Sequence, residues 1–275
     1  MTYYIAAEPN AGRGTAAALF LRLHKLIIMF FQKSVEKVIK LWYYSSRLCG
    51  YNSAITSTER IVNMSTFADT FLRALLTGIL IAVGGIVYLS CDSKYIGSAL
   101  FGTGLFTVLT FGLALFTGKV GYAVEQKPGY LLYLCEVWLG NLVGAVITGL
   151  LIQLTRAGAG ISEKAAALCE VKLNDNLLSI FVLSFFCGML MFIAADGYKN
   201  LSNPAAQMLA VFLPVMVFIL SGFEHCVANM FYFTAGNAWS PAAVLYMLVM
   251  TLGNAAGGML IPLARKGFEK PAEKR

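Results

Sequence analysis

"FILSGFEHCVANMFYF", residues 218–233, sets a glutamate, a histidine and an asparagine inside one of the most apolar parts of the chain. Apolar sequence runs up to it over residues 205–220 and away from it over 231–250. Apart from His24, His225 is the chain's one histidine. A charged side chain in the middle of a spanning helix costs about 2.5–3.5 kcal/mol on insertion scales, so such groups face a cavity or pair with one another. Pro214 and then Ser221-Gly222 punctuate the helix just before Phe223-Glu224-His225. A break exposed to lipid would leave backbone groups without partners, so it must line a cavity or be buried in protein. The stretch therefore predicts an interrupted helix built around Glu224 and His225.

That lipid is the relevant solvent follows from the whole chain. Of 275 residues, 58% are hydrophobic and 13% charged, where a soluble domain carries about 25% charged residues. Mean hydropathy is +0.71. About 20 apolar residues cross a bilayer as a helix. Six stretches meet this, near 70–90, 96–124, 129–155, 177–195, 204–234 and 239–263. The second, "YIGSALFGTGLFTVLTFGLALFTGKVGY" (95–122), is long and interrupted like the fifth, with Gly112 and Gly118 bracketing Leu115-Phe116-Thr117.

The third and sixth stretches share a pattern, "LGNLVGA" (139–145) and "LGNAAGG" (252–258), whose small residues four apart let helices approach closely. Three spans with an interrupted second are followed by three more with an interrupted second. An odd number of spans turns the second copy upside down. The predicted fold is an all-α membrane protein with six transmembrane helices in two inverted three-helix repeats. A site then forms near the midplane where the two breaks meet.

Net charge is +7, and residues 1–63 hold much of it, with eight Lys or Arg against three acids. With no basic stripe on a polar fold, this reads as membrane topology and not as nucleic-acid binding. Lys119, Lys127, Lys199 and the basic tail put both termini in the cytoplasm by the positive-inside rule. Residues 1–63 form an N-terminal extension, either cytoplasmic or preceding the true start, since Met64 opens a natural first span. The stretch "TAAALFLRLHKLIIMFF" (15–31) carries Arg22, His24 and Lys25, which argues against a span and fits an amphipathic helix. Residues 64–264 form the six-span domain and 265–275 a cytoplasmic basic tail. The six cysteines show no CxxC spacing, and Cys91 and Cys169 fall on the same external side, which leaves a disulfide between them open.

In these residues the chain resembles the formate/nitrite transporters. "SGFEHCVANMF" (221–231) is similar to the family's fifth-span loop and "LALFTGK" (113–119) to its second-span loop. "LGNLVGA", "LGNAAGG" and "FLPVMVF" (212–218) also match. The resemblance covers about residues 66–264. It implies an aquaporin-like homopentamer of the cell inner membrane whose protomers each pass a small monovalent anion, formate, nitrite or hydrosulfide, with a proton.

The resemblance also implies a substrate pathway of His225, Thr117, Lys172 and Asn254. His225 would handle a proton, because imidazole is the side chain whose charge changes near neutral pH. Without the resemblance such a pair could simply brace the broken helix, and Glu224 and Asn229 are read as loop anchors. A lone intramembrane threonine ordinarily bonds its own helix backbone; the resemblance has Thr117 face the histidine. Lys172, in "EVKLNDN" (170–176), would ordinarily be a solvated loop cation. It falls on the family's functional lysine, 53 positions before His225, where it would concentrate anions. Asn254 is implied as a polar partner of the histidine, and Asn141 as a packing and hydrogen-bonding residue. Phe101, Leu105, Leu115 and Phe218 are implied as apolar constrictions that disfavour a hydrated ion.

The chain departs from the family pattern at Ala114, Gly188 and Lys119, and these departures resemble the hydrosulfide branch. Rival readings are weak. "SNPAAQ" (202–207) holds an Asn-Pro-Ala tripeptide, but the second one a water or glycerol channel needs is missing. A membrane metalloprotease needs two histidines one turn apart, and only His225 is available. No metal or other cofactor and no enzymatic activity are expected. A purely structural membrane subunit is the remaining alternative.

Overall fold

The computed structural model describes residues 67–268, which lie within the unit Met64–Arg275. The expectations for residues 1–63, and for the tail past 268, lie outside the described residues. The described chain is helical throughout. Its elements are α1 (Phe67–Ser90), α2 (Lys94–Thr110) and α3 (Phe116–Lys119), the last running into a 3₁₀ segment, Val120–Glu125. There follow α4 (Tyr130–Gln153), α5 (Gly158–Leu173), α6 (Leu177–Asn200), α7 (Pro204–Leu220), α8 (Cys226–Ala235) and α9 (Pro241–Phe268).

Helices α1, α4, α6 and α9 are long enough and apolar enough to cross a membrane, while α7 and α8 are shorter apolar helices. Their starts follow local chemistry. Asn176 caps α6 by accepting from the Ser179 amide at 2.9 Å. Asn203 caps α7 by accepting from the Ala205 and Ala206 amides, and Pro204 sits at the first helical position, where its missing N–H costs nothing.

Residues 156–176 fall between two of the six apolar stretches, where a connecting loop is expected, yet 158–173 form α5. The sequence "GAGISEKAAALCEVKL" is rich in strong helix formers, and Ile161, Ala165 and Cys169 make one buried stripe at a spacing of four. Its charges hide it from a search for spans. Lys164 Nζ donates to the Leu89 carbonyl at 2.8 Å, which satisfies an orphan acceptor at the end of α1. Cys91 and Cys169 are free thiols, so the disulfide left open above is absent; Cys169 is buried on α5.

Helices α2 and α7 end in the same way. The Phe223 amide donates to Phe218 O at 2.9 Å and the Gly222 amide to Ile219 O at 3.2 Å. The Leu113 amide donates to Val108 O at 2.9 Å and the Gly112 amide to Leu109 O at 3.1 Å. Both are Schellman endings, which need a left-handed residue, and Gly112 and Gly222 supply it with φ of 61° and 69°. Every bond of one ending recurs in the other at an offset of 110 residues.

Close packing holds the long helices together in matched pairs. A Cβ on Gly144 would drive into the Leu75 carbonyl of α1, and one on Gly257 into the Phe185 carbonyl of α6. A methyl there must force two helices apart, at about 1–3 kcal/mol. Gly257→Ala should therefore lower the thermal midpoint of the purified protein in detergent. Gly160→Ala, whose Cβ would meet open space, should not lower it. Equal midpoints for the two variants would show that this contact is not tight.

Candidate functional site

The site is built where α3 and α8 begin, and two buried asparagines hold both starts. Asn254 Oδ1 accepts from the Cys226 amide at 2.8 Å, and its Nδ2 donates to Ser184 O at 2.7 Å and Glu224 O at 2.8 Å. Asn141 Oδ1 accepts from the Phe116 amide at 2.9 Å, and its Nδ2 donates to Ala74 O at 2.8 Å and Ala114 O at 2.9 Å. Both side chains are fully buried. Each pays the hydrogen-bond debt of a helix start and a loop carbonyl in an interior where an unpaired polar group is costly. Asn254, implied above as a partner of the histidine, instead holds the backbone on either side of it. Both its N–H groups are used there, and Asn141 makes the same three kinds of bond at the other turn.

His225 caps α8. Its Nδ1 accepts from the Ala228 amide at 3.1 Å, and its Nε2 lies 2.9 Å from Thr117 Oγ1. A ring nitrogen that accepts from an amide carries no proton of its own, so this bond network assigns the neutral ring its proton on Nε2. Nε2–H then donates to Thr117 Oγ1, and the threonine hydroxyl keeps its own hydrogen for a third group. Charging the ring requires a proton on Nδ1 and so the loss of the α8 cap. Thr117 and His225 are 0% and 2% exposed. Thr77, Thr148, Thr234 and Thr251 all bond their own helix four residues back, whereas Thr117 reaches across 108 positions to His225.

One residue before the histidine, Glu224 is held from three sides. Lys172 Nζ donates to its two carboxylate oxygens at 2.8 and 2.7 Å, and Asn229 Nδ2 to Oε2 at 2.7 Å. The Glu224 amide reaches Leu183 O at 3.3 Å. The Lys172 and Glu224 side chains are only 14% and 5% exposed. Lys172 is thus not a solvated loop cation. It lies in the last turn of α5 with its charge already matched, because α5 packs against α8 and turns it inward onto the Glu224 carboxylate.

The implied constrictions are all buried. Phe101 and Phe218 meet edge to face with ring centroids 5.8 Å apart, and the Phe218 ring stacks on His225 at 5.7 Å. Leu105 and Leu115 lie in the same core cluster, and Leu115 is the N-cap of α3, the position His225 holds on α8. A second network escaped the sequence reading. Asp196 accepts from Arg265 at 2.7 Å and from the Tyr122 hydroxyl at 3.2 Å, which ties the 3₁₀ segment to α6 and α9. The one signal was a lone acid, Asp196, at the end of an apolar run; Arg265 read only as a topology cation.

Several spanning-length apolar helices around a buried polar centre define a multi-pass helical membrane protein. Residues 51–264 match the family described as formate/nitrite transporter, and the chain belongs to that family. An uncharacterized transporter of Bacillus subtilis, YrhG, is 30% identical over 182 residues, covering 60% of this chain and 68% of that protein. A probable formate transporter of Methanothermobacter thermautotrophicus is 27% identical over 250 residues, covering 75% and 90%. Among solved structures, a pentameric formate channel with formate bound superposes with a TM-score of 0.62 at 24% identity, covering 73% of this chain and 96% of that one. An FNT family ion channel gives a TM-score of 0.65 at 23% identity, covering 86% and 100%. Those two likenesses show the fold alone. The relatives are channels and transporters, not enzymes.

Proposed function

We propose that the protein is a homopentameric channel for small monovalent anions, each protomer carrying its own path past Thr117 and His225. In this reading α2 with α3, and α7 with α8, are the interrupted second and fifth of six spans in two inverted repeats. The buried Thr117–His225 contact carries the reading. It joins two distant helix starts through the one imidazole among the described residues, beside the Phe218 ring that stacks on it. Amides at helix starts and the positive ends of helix dipoles favour an anion there. The threonine hydroxyl donates to it, and Phe101, Phe218, Leu105 and Leu115 strip its water. His225 moves a proton with the anion by exchanging its cap bond for a charge. The Lys172–Glu224–Asn229 network positions the loop that carries the histidine.

The matching relatives named for formate support formate, with nitrite as its close analogue. The departures at Ala114, Gly188 and Lys119 support hydrosulfide. The protein sits in the inner membrane with both termini in the cytoplasm, residues 64–264 being the channel and 265–275 the basic tail. Flux into proteoliposomes of formate, nitrite and hydrosulfide, with water and glycerol as neutral controls, tests the reading. At least one anion should pass. Thr117→Val keeps shape and removes the hydroxyl, so it should cut that flux by about tenfold or more, equivalent to one lost hydrogen bond to a charged group, with assembly intact. A well-folded protein that passes water or glycerol and no anion would make it a neutral-solute channel, and one that passes nothing, a structural subunit.

A further inference from the structure

The two Schellman endings can be compared position by position at their constant offset of 110 residues. Cys226 corresponds to Phe116, and their amides meet Asn254 and Asn141 in the same way. Just before the caps, Glu224 corresponds to Ala114. Four positions after the caps, Asn229 corresponds to Lys119. In the second turn the Asn229 amide donates to the Glu224 carboxylate at 2.7 Å. In the first turn the corresponding positions carry a methyl, on Ala114, and an ammonium, on Lys119. The donor has gained a full charge and its acceptor has gone.

No acid among the described residues forms an ion pair with Lys119. Asp69 is paired with Arg73 at 2.9 Å and Asp196 with Arg265 at 2.7 Å. Glu125 is exposed to solvent. Among the described residues no ion pair is recorded for Lys119, which is half-buried. The charges that act on it most strongly are Lys199 and Arg73, both cations. A partly desolvated ammonium facing like charges is stabilised by any anion that reaches it. The other turn shows which anion suits the geometry, namely a carboxylate.

We infer that Ala114 and Lys119 form an anion subsite at the start of α3. It takes a small monovalent anion of the transported class, with formate as the carboxylate probe, in the place that the Glu224 side chain fills at the start of α8. The inference rests on the transport reading and deepens it. Glu224 is a tethered occupant on one turn, and the permeating anion is a mobile occupant on the other. The subsite lies two residues from Thr117, so it hands an anion to the Thr117–His225 centre. Lys119 is in this sense a specificity-determining residue, separate from the paired Lys172.

The test uses the whole protein in proteoliposomes with formate as the probe. Lys119→Asn should raise the half-saturation for formate by about tenfold, as when a charge-assisted hydrogen bond is lost, and leave the maximal rate nearly unchanged. Ala114→Glu should do the same by supplying a tethered competitor, while Ala114→Gln, of equal size and no charge, should have a smaller effect. Combining Ala114→Glu with Lys119→Asn should keep the high half-saturation and also lower the thermal midpoint, because this turn has no counterpart of the Lys172 ammonium that neutralises Glu224. Wild-type flux with an unchanged half-saturation in Lys119→Asn overturns the subsite and leaves the channel reading standing. Equal losses in Ala114→Glu and Ala114→Gln, with Lys119→Asn normal, also overturn it, since bulk alone then acts. A wild type that passes no anion overturns the transport reading and this inference with it.

Discussion

Lys172→Ala is expected to destabilise the protein severely and to abolish flux. The Glu224 side chain is 5% exposed, and two of its three contacts come from the lysine ammonium. Removing one partner of a buried pair leaves an uncompensated charge, at about 3–5 kcal/mol. Because Glu224 immediately precedes His225, that loss falls on the loop that carries the histidine. The double variant Lys172→Ala/Glu224→Gln should recover much of the stability, since Gln removes the stranded charge and still accepts from Asn229. Thermal midpoints and pentamer yield in detergent check both statements. If Lys172→Ala instead keeps its stability and only raises the half-saturation in a salt-dependent way, the lysine acts as a free attractor of anions.

His225→Asn should preserve the architecture and remove the pH dependence of transport. Asparagine is among the best N-caps, so its Oδ1 can accept from the Ala228 amide as Nδ1 does now, and α8 keeps its start. What it cannot do is take up a proton. In the wild type, acidification should increase flux, because charging the ring attracts the anion and provides a proton to travel with it. At about pH 6 the variant should be at least roughly tenfold slower, about 1.4 kcal/mol in barrier, and its residual flux should be flat with pH. Flux with a pH-sensitive dye inside the vesicles reads both anion and proton. A well-assembled Asn variant with wild-type flux and wild-type proton movement would remove the proton role from His225.

The two predictions separate what the neighbouring residues do. Glu224 and Lys172 form a closed pair whose loss is felt first in stability. His225 and Thr117 share one hydrogen bond and leave one hydroxyl hydrogen uncommitted, so their loss is felt first in flux. The cap bond from Ala228 couples the two functions, because the ring cannot charge without releasing a helix start worth about 0.5–2 kcal/mol. A protonated channel is therefore also one with a looser α8.

The sequence by itself determined what depends on neighbours along the chain. Apolar runs long enough for lipid mark the membrane helices, and Gly112 and Gly222 mark where α2 and α7 end, because only glycine takes that left-handed turn cheaply. The paired "LGN" stretches and the charged interruption at Glu224-His225 were legible for the same reason. The helix α5 was partly legible in its alanines and its stripe of four. Only the tertiary structure decided which polar group answers which. Thr117 meets His225 across 108 positions, Lys172 meets Glu224 across 52, and Asn254, implied as a polar partner of the histidine, serves three backbone groups. Nothing local distinguishes these partners. In a medium with no water to satisfy them, buried amides and charges bind whatever the helix packing brings within 3 Å, and that packing is set by contacts between distant parts of the chain.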